Sequence, residues 1–575
     1  MKYLLNPLIP ILLAALLART LPAQGTTLAS ADSNGKAFVH NLYLQGGLLI
    51  QPAPSDDGRY VLFTTLAADV VPGNAGGSWD VFRRDLWTGA TELVSRPLVG
   101  DQANGDSWEG YLSADGRFVV FGSTATDLVA PGDTNGATDV FVRDMNAGTT
   151  LAVTELSPGV WPDGASWPEA FSADGRYVVF GSYAKNLVAL PPGVAGVLYV
   201  KDLVGGSIEP VSVTPQGLPA FGSHFLSSIS GDGRYVSFSS NSPQIVAGDT
   251  NGANDAFVRD RQSGTTTRVS VATGGVQAPQ GGGRSTIARD GSCVVFESYS
   301  KGLVPNDPNS TNDVFVHDLA SGVTECLSLS FLDGLPAGQC SVPRVSGDGR
   351  FVLFSCQSNA ILPGLSGIAV VRLDRQQGTF EHVSQGTFGT WAHPASPGGI
   401  SDDGRHCTFY SATQALVPED VDPDQDLYVR DMASAPASTY CIAKTNSLGC
   451  VTWMSSTGVP SASSPAPFLL RASQVINQAP AVMIYALGAQ LLPFQDGFLC
   501  LGPQVTRTFP QNSGGNPAGI DCSGVLELDM NAYLQASNDP DLVAGAQVYA
   551  QYWSRDPQAA STSNLSNAVM FLIGP

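Results

Sequence analysis

A short alternation of polar and apolar residues recurs seven times along the first three quarters of the chain. Most copies carry a Ser-x-Asp-Gly-Arg turn and then an aromatic-valine run, as in Arg176–Phe180. A second run, such as Asp139–Asp144, follows, and then Gly-x-Thr before a threonine-rich run. A period of two is typical of β-strands, and Asp-Gly favours the tight turn of a hairpin. Each copy therefore predicts four short strands.

The turn glycines measure the length of the repeat. They are Gly58, Gly116, Gly175, Gly233, Gly291, Gly349 and Gly404, at spacings of 58, 59, 58, 58, 58 and 55 residues. Four-stranded units at a fixed period predict a β-propeller, and an open β-solenoid is the alternative. Thr26–Ser30 has the pattern of a lone fourth strand, and the last repeat ends on its third strand at Asp431. We therefore expect an all-β chain with a seven-bladed propeller that the N-terminal strand closes.

These repeats resemble the TolB-type, WD40-like β-propeller repeat family of secreted bacterial proteins. The resemblance covers residues 26–431 and rests on the Ser-x-Asp-Gly-Arg and Asp-Val-Phe-Val-Arg-Asp motifs. It implies the fold but no single activity, because propellers serve as scaffolds, as lyases and as domains attached to hydrolases. The repeat is longer than that of TolB itself, so a TolB-like partner is not carried over.

The pattern changes after residue 431. Residues 432–438 are predicted to be a linker, and residues 439–575 contain short alternating runs such as Val525–Met530 without helical periodicity. Four cysteines lie here, so we expect a disulfide-tied β-sandwich. The segments 440–450 and 549–556 are similar to a C-terminal β module of exported bacterial proteins.

The cysteines suggest specific pairings. Four C-terminal cysteines allow three connectivities, and we expect Cys441–Cys450 and Cys500–Cys522 because each closes a local loop. Cys340 and Cys356 lie eight residues on either side of Asp348 in a hairpin turn. Equal offsets place them opposite each other, so they are expected to pair. The remaining cysteines, Cys293, Cys326 and Cys407, are predicted to be small buried residues.

Composition and the N-terminus indicate export. Lys2, the apolar run Leu8–Leu17 and the small residues before Gln24 are typical of a secretory signal peptide over residues 1–23. The propeller would then span 24–431 of a secreted, periplasmic or cell-surface protein without a transmembrane segment. Charged residues make up 14% of the chain and the formal net charge is −21, which disfavours a nucleic-acid partner.

One face of the predicted propeller carries candidate ligand-binding residues. Eight positions before the turn glycine, three consecutive repeats have an aromatic residue, and charged residues lie close by. The candidates are Trp108, Glu109, Trp167, Glu169, His224, Phe225, Arg284 and Arg344. Aromatic and charged side chains that converge near a channel can hold a sugar or a peptide. Packing between blades is the alternative interpretation and the favoured one.

The sequence lacks the Gly-x-Ser-x-Gly and His-Glu-x-x-His motifs, and no catalytic residue is assigned. We therefore predict an exported, non-catalytic binding or scaffold protein whose propeller face recognises an unknown protein or carbohydrate. The alternative is a propeller-based polysaccharide lyase or glycosidase-like enzyme, since acidic residues are plentiful.

Acidic loops between the second and third strands suggest Ca²⁺ as a cofactor. Their oxygen-bearing residues are Asp133, Asn135, Asp139, Asp249, Asn251, Asp255, Asp307, Asn309, Asp313, Asp420, Asp422, Asp424 and Asp426. Ca²⁺ prefers six to eight oxygen ligands, and four carboxylates at alternate positions make 420–426 the first site expected to bind it. Asx-turn capping is the alternative, and it is favoured in the Asn-Gly loops.

Overall fold

A computed structural model describes residues 26–32, 42, 53–68, 70–307, 309–330, 334–357, 359–362, 367–386, 392–414, 416–417, 420, 424–432, 438–440, 444, 446–450, 452–457, 460–488, 492–494, 497–517, 520–536, 539–559 and 562–573. Within these residues the chain is nearly all β. The expected signal peptide and most of the expected linker lie outside them. Among the described residues, no helix has the length and apolar character needed to cross a membrane.

The repeats form seven antiparallel sheets, which are numbered here in chain order. The strands are β1 (Thr26–Leu28); β2 (Tyr60–Thr65), β3 (Asp80–Asp85), β4 (Thr91–Leu93); β5 (Ser107–Leu112), β6 (Phe118–Ser123), β7 (Asp139–Asp144), β8 (Thr149–Ala152); β9 (Ser166–Phe171), β10 (Tyr177–Ser182), β11 (Val197–Asp202), β12 (Ile208–Pro210); β13 (His224–Ile229), β14 (Tyr235–Ser240), β15 (Asp255–Asp260), β16 (Thr265–Arg268); β17 (Gly283–Ile287), β18 (Cys293–Ser298), β19 (Asp313–Asp318), β20 (Thr324–Cys326); β21 (Cys340–Val345), β22 (Phe351–Cys356), β23 (Ala369–Asp374), β24 (Thr379–His382); β25 (Ala395–Ile400), β26 (His406–Ser411) and β27 (Asp426–Asp431). Sheet one is β2–β4, sheets two to six are the five following groups of four strands, and sheet seven has the order β1-β27-β26-β25. Six of these seven sheets have four strands, and tandem antiparallel sheets of this kind are the β-propeller architecture.

The repeated motif fixes each hairpin, as sheet two shows. Ser113 Oγ donates to Asp115 at 2.7 Å and accepts the N–H of Phe118 at 2.9 Å. Asp115 also accepts the N–H of Arg117 at 3.0 Å. The Arg117 guanidinium then makes a two-pronged contact with Asp144 at 3.1 and 2.6 Å, which joins the hairpin turn to the end of the third strand. The motif residues therefore stabilise the turn and its attachment to the sheet.

The turn glycine is required because each turn packs on the preceding sheet. Gly116 has φ +68°, and a Cβ atom there would lie 2.4 Å from the Tyr60 ring. The same contact recurs as Gly175–Phe118, Gly233–Tyr177, Gly291–Tyr235, Gly349–Cys293 and Gly404–Phe351, and as Gly58–His406 between sheets one and seven. Every sheet therefore touches the next, and the first touches the last.

The N-terminal strand belongs to the last sheet. β1 pairs antiparallel with β27, with Thr26 opposite Arg430. Sheets one and seven also share a hydrophobic cluster that includes Val61, Phe63, Tyr410 and Leu427. Residues far apart in sequence thus hold the two ends of the repeat region together.

The C-terminal part is built from different sheets. Its elements are β28 (Ser438–Tyr440), β29 (Trp453–Thr457), β30 (Leu469–Val475), β31 (Pro480–Ala486), β32 (Leu492–Phe494), β33 (Gly497–Leu499), β34 (Thr506–Asn512), β35 (Gly524–Asp529), α1 (Met530–Ala536), β36 (Gln547–Arg555) and β37 (Ser563–Leu572). The sheets are β28-β37-β36-β31-β34, β29-β30-β35 and β32-β33. Met454 and Leu526 from the three-stranded sheet pack with Met483 and Phe571 from the five-stranded sheet in one core.

The disulfides confirm one predicted pairing and correct the others. Cys340 and Cys356 are bonded and lie opposite each other on β21 and β22. Cys450, however, pairs with Cys522, so the predicted Cys441–Cys450 and Cys500–Cys522 bridges are wrong. β29 and β35 both pair antiparallel with β30, which places the residues just before each strand at the same end of the sheet. Sequence proximity did not reveal this neighbourhood.

The remaining cysteines are bonded, free or outside the described residues. Cys500 is also disulfide-bonded, and Cys441 lies outside the described residues. Cys293, Cys326 and Cys407 are free and buried, as predicted. Disulfides in two parts of the chain are compatible with an oxidising, exported environment.

Candidate functional site

All eight candidate ligand-binding residues lie on the first strands of sheets two to six. These are Trp108 and Glu109 on β5, Trp167 and Glu169 on β9, His224 and Phe225 on β13, Arg284 on β17 and Arg344 on β21. We call β5, β9, β13, β17, β21 and β25 the channel strands, because consecutive ones contact each other. The side chains of Glu109 and Phe225 lie outside the described part of the structure.

The channel strands share a local irregularity. Each pairs with the next strand through a register shift, for example between Trp108 and Tyr111 in β5. In sheets four, five and six, the residue seven before the turn glycine has a positive φ: Leu226 at 54°, Arg284 at 41° and Val342 at 57°. Left-handed backbone in bulky residues is strained and persists only where the surroundings hold it.

Two glutamates supply that support. Glu169 is buried and accepts the N–H of Ser227 at 3.1 Å and the indole N–H of Trp167 at 2.9 Å. Glu297 on β18 accepts the N–H of Val342 at 2.7 Å in the same way. Burial raises the pKa of Glu169. The carboxylate therefore positions the bulge of the neighbouring sheet, and it is not free for a ligand.

Sequence reasoning missed Glu297. The feature that could have pointed to Glu297 is its register position, because it stands directly opposite Gly283 of the channel strand β17. It also lies 3.5 Å from the Arg284 guanidinium, so it supports two neighbouring sheets at once.

His224 lies in the interior of sheet four. It is buried, its Nε2 lies 3.2 Å from the carbonyl oxygen of Ala220, and its ring packs edge-on against Phe238 at 6.4 Å. Burial lowers the pKa of His224 to about 4, so the imidazole is neutral at physiological pH. These contacts are compatible with the packing alternative, and ligand binding by His224 stays a prediction.

Arg344 reaches from sheet six to sheet seven. Only 6% of it is exposed, and it donates from Nε to the Gly398 carbonyl at 3.0 Å and from Nη1 to the Pro343 carbonyl at 2.8 Å. Burial, together with the charge of Arg284, lowers the pKa of Arg344 to about 10. Arg344 thus joins two channel strands, while Arg284 is partly exposed beside it.

Three of the exposed aromatic side chains in the repeats lie at the same end of successive sheets. The end where the channel strands begin is called the loop end, and the end with the hairpin glycines is called the turn end. Tyr183 directly follows β10, Tyr299 follows β18, and Phe221 precedes β13, so all three belong to the loop end of sheets three, five and four. Their exposed fractions are 58%, 59% and 61%. The Tyr183 ring lies 4.9 Å from that of Trp167.

The turn end is spanned by charged side chains. Arg289 of sheet five donates to Asp402 of sheet seven at 2.8 Å and to Asp56 of sheet one at 3.2 Å. All three residues precede their turn glycine by two positions. Backbone hydrogen bonds link the neighbouring turns, as from Asp56 to Ala114 at 2.8 Å. Burial raises the pKa of Asp56 and Asp402. Side chains from three sheets therefore meet across the turn end, while the loop end presents aromatic groups.

The acidic loops contain the predicted Asx contacts. Asn135 donates its backbone N–H to Asp133 at 3.0 Å and its side-chain amide to Asp139 at 2.6 Å. Asn251 and Asn309 donate to Asp255 and Asp313 in the same way, at 2.9 and 3.1 Å. Among the described residues, no three His, Cys, Asp or Glu side chains form a group suited to a metal ion.

The loop expected to bind Ca²⁺ first is only partly described. Asp420 accepts the Tyr428 hydroxyl at 2.7 Å and Asp426 accepts Ser30 Oγ at 2.5 Å. Asp424 is described, whereas Asp422 lies outside the described residues. Ca²⁺ binding in this loop stays a prediction.

Neither family models nor curated proteins match the chain. Among solved structures, it is similar to TolB from Acinetobacter baumannii at 15% identity and a TM-score of 0.33, over 57% of this chain and 64% of that one. An oligogalacturonate lyase in complex with manganese matches at 14% identity and a TM-score of 0.41, over 72% and 99%. The β-propeller domain of the Trilobed protease from Pyrococcus furiosus matches at 11% and 0.39, over 69% and 94%. None of these similarities bears on activity.

Proposed function

We propose that this chain is an exported binding protein with a seven-bladed, closed propeller over residues 24–431. A linker at 432–438 and a β-sandwich over 439–575 complete the proposed organisation. The pairing of β1 with β27 and the Gly58–His406 contact support closure. The disulfides support an oxidising compartment, in which a signal peptide over residues 1–23 would place the protein.

The proposed binding surface is the loop end of sheets three to five. Tyr183, Phe221 and Tyr299 are each more than half exposed there, on three successive sheets. The partly exposed Arg284 guanidinium lies on the channel strand of sheet five. Aromatic groups and arginine contribute most to binding at protein interfaces, and aromatic rings add a large apolar area that can also stack on a sugar. This concentration of exposed aromatic side chains carries the proposal that the ligand is a protein or a carbohydrate.

Binding is favoured over catalysis because the acidic groups near this surface are already engaged. Glu169 and Glu297 accept backbone N–H groups, and Glu297 also faces Arg284. A glycosidase or lyase needs carboxylates or a base that can take up and release a proton at the substrate. In the described residues, these two carboxylates support the bulges of neighbouring sheets instead.

Screening the full chain against glycan and peptide arrays tests the proposal. The triple variant with Tyr183→Ala, Phe221→Ala and Tyr299→Ala should lose at least tenfold in affinity for the ligand found, with an unchanged melting temperature. Phe509→Ala is the matched control, because Phe509 is 54% exposed but lies in the C-terminal part. Unchanged binding by the triple variant would contradict the proposed surface, and turnover of a glycan would favour the enzyme alternative.

A further inference from the structure

Sheet two contains a buried pair of carboxyl groups. Asp133 and Asp139 are 5% and 0% exposed, and they lie close enough to share a proton. Asp139 Oδ1 accepts the Thr154 hydroxyl at 2.6 Å, and Asp133 Oδ1 accepts the N–H of Asn135 at 3.0 Å. Asp133 Oδ2 is buried and receives no hydrogen bond from an N–H or hydroxyl group of the protein. The pair therefore has one buried oxygen atom whose partner is still missing.

Two ionised carboxylates in contact repel strongly where water is excluded. Burial raises the pKa of both groups, because a carboxyl group without access to water is more stable when it is protonated. A positive charge must join the pair to keep it buried, and that charge is either a shared proton or a bound cation.

Four other sheets show how charge at the same position can be avoided or neutralised. In sheet one, Asn74 stands where sheet two has Asp133, and its amide donates to Asp80 at 3.0 Å. Asp80 also accepts Ser95 Oγ at 2.8 Å, as Asp139 accepts Thr154. In sheets three and six, the third strand starts with Val197 and Ala369, so the pair is absent. These three sheets therefore carry at most one acidic group at this position.

Sheet four keeps both acidic residues and adds a cation. Arg268 Nη1 lies 3.5 Å from Asp249 and 4.0 Å from Asp255. The Gln277 amide bridges the same two carboxylates at 2.9 and 3.1 Å. Arg268 on β16 stands opposite Phe257 on β15. In sheet two, Phe141 occupies the position of Phe257, and the residue opposite it is Ala152. Sheet two therefore lacks the cation that sheet four supplies from its own chain.

We propose that Asp133 and Asp139 bind a divalent cation, with Ca²⁺ as the fitting ion, at the place that the Arg268 guanidinium takes in sheet four. Carboxylate oxygens are the ligands that Ca²⁺ prefers, and water completes its coordination where the protein supplies fewer than six. This Ca²⁺ site does not depend on the proposed ligand surface, because the argument for it is the need to neutralise the buried Asp133–Asp139 pair.

Calorimetric titration of the full chain with CaCl₂, after treatment with a chelator, tests the proposal through three variants. Asp133→Asn copies sheet one and Ala152→Arg copies sheet four, and each should bind one equivalent of Ca²⁺ fewer than wild type. Arg268→Ala removes the internal cation of sheet four and should bind one equivalent more. Melting temperatures in chelator verify folding, and Asp133→Asn should melt no lower than wild type because it relieves the repulsion.

The stoichiometry decides between the cation and the proton. Equal Ca²⁺ binding by wild type, Asp133→Asn and Ala152→Arg would overturn the proposal. So would a wild-type protein that binds no Ca²⁺, since the pair would then hold a shared proton. A loss of one equivalent in both variants, with unchanged folding, supports the site, and a gain in Arg268→Ala shows that arginine and Ca²⁺ replace each other.

Discussion

The repeat region and the C-terminal part are held together in different ways. In the repeats, the same contacts recur: an arginine after the turn glycine pairs with the aspartate that ends the third strand. The pairs are Arg59–Asp85, Arg117–Asp144, Arg176–Asp202, Arg234–Asp260, Arg350–Asp374 and Arg405–Asp431. In the C-terminal part, a large core between two sheets and the Cys450–Cys522 bridge join residues far apart in sequence. The repeats thus distribute their stability over many similar sites, whereas the C-terminal part concentrates it.

The largest effect is expected from the C-terminal disulfide. Replacing Cys450 and Cys522 by Ser removes a link across 72 residues, and the loop-entropy relation puts the loss at about 4 kcal/mol. The same change at Cys340 and Cys356 removes a link across 16 residues and should cost about 3 kcal/mol. Denaturant unfolding under non-reducing conditions measures both. A larger loss for the Cys340–Cys356 pair would contradict the contrast between the two regions.

A smaller effect separates two reasons for glycine in the repeats. Gly116 and Gly136 have nearly the same φ, +68° and +69°, but only Gly116 has a side chain, Tyr60, in the space of a Cβ atom. Gly136→Ala should cost about 1 kcal/mol for the backbone alone. Gly116→Ala should cost about 3 kcal/mol, because overpacking against Tyr60 is added. Equal losses of unfolding free energy would show that the contact between sheets contributes nothing.

The smallest effect concerns the repeat that lacks the arginine. Sheet five has Ser292 after its turn glycine, and Asp318 accepts the N–H and hydroxyl of Ser321 instead. Ser292→Arg should restore the pair and stabilise the protein by about 0.5 kcal/mol, the size typical of a surface ion pair. Arg176→Ala is the matched loss in sheet three. If Ser292→Arg proves destabilising, the pairs are not interchangeable between sheets.

The repeat region could be predicted because its contacts are local. Ser113, Asp115 and Arg117 form their hairpin within six residues, and six of the seven repeats carry the same three residues. The Cys340–Cys356 bridge follows from the hairpin register for the same reason. Cys450 and Cys522 meet because two strands flank β30, which depends on the order of strands in the sheet and leaves no periodic trace in the sequence.

The candidate site could be predicted only in part. Counting from the turn glycine placed Trp108, Trp167 and Phe225 on channel strands, because the repeat fixes equivalent positions. The role of Glu169 depends on a backbone N–H of the neighbouring sheet, which periodicity does not show. The contact of Arg289 with Asp56 and Asp402 joins turns of sheets that are distant in the chain, so it emerges only from the arrangement of all the sheets.

The glycine–aromatic contact has a consequence for how such a chain can grow. Each of sheets two, three, four and six carries the turn glycine that meets the sheet before it and the aromatic residue that meets the sheet after it, as Gly175 and Tyr177 do in sheet three. A duplicated repeat therefore brings both halves of a compatible interface, and it can be inserted beside its parent without new surface residues. Cys293 and His406 fill the aromatic position in sheets five and seven, so copies can diverge there while the glycine contact persists. Duplication followed by local substitution is thus sufficient to produce a chain of this design.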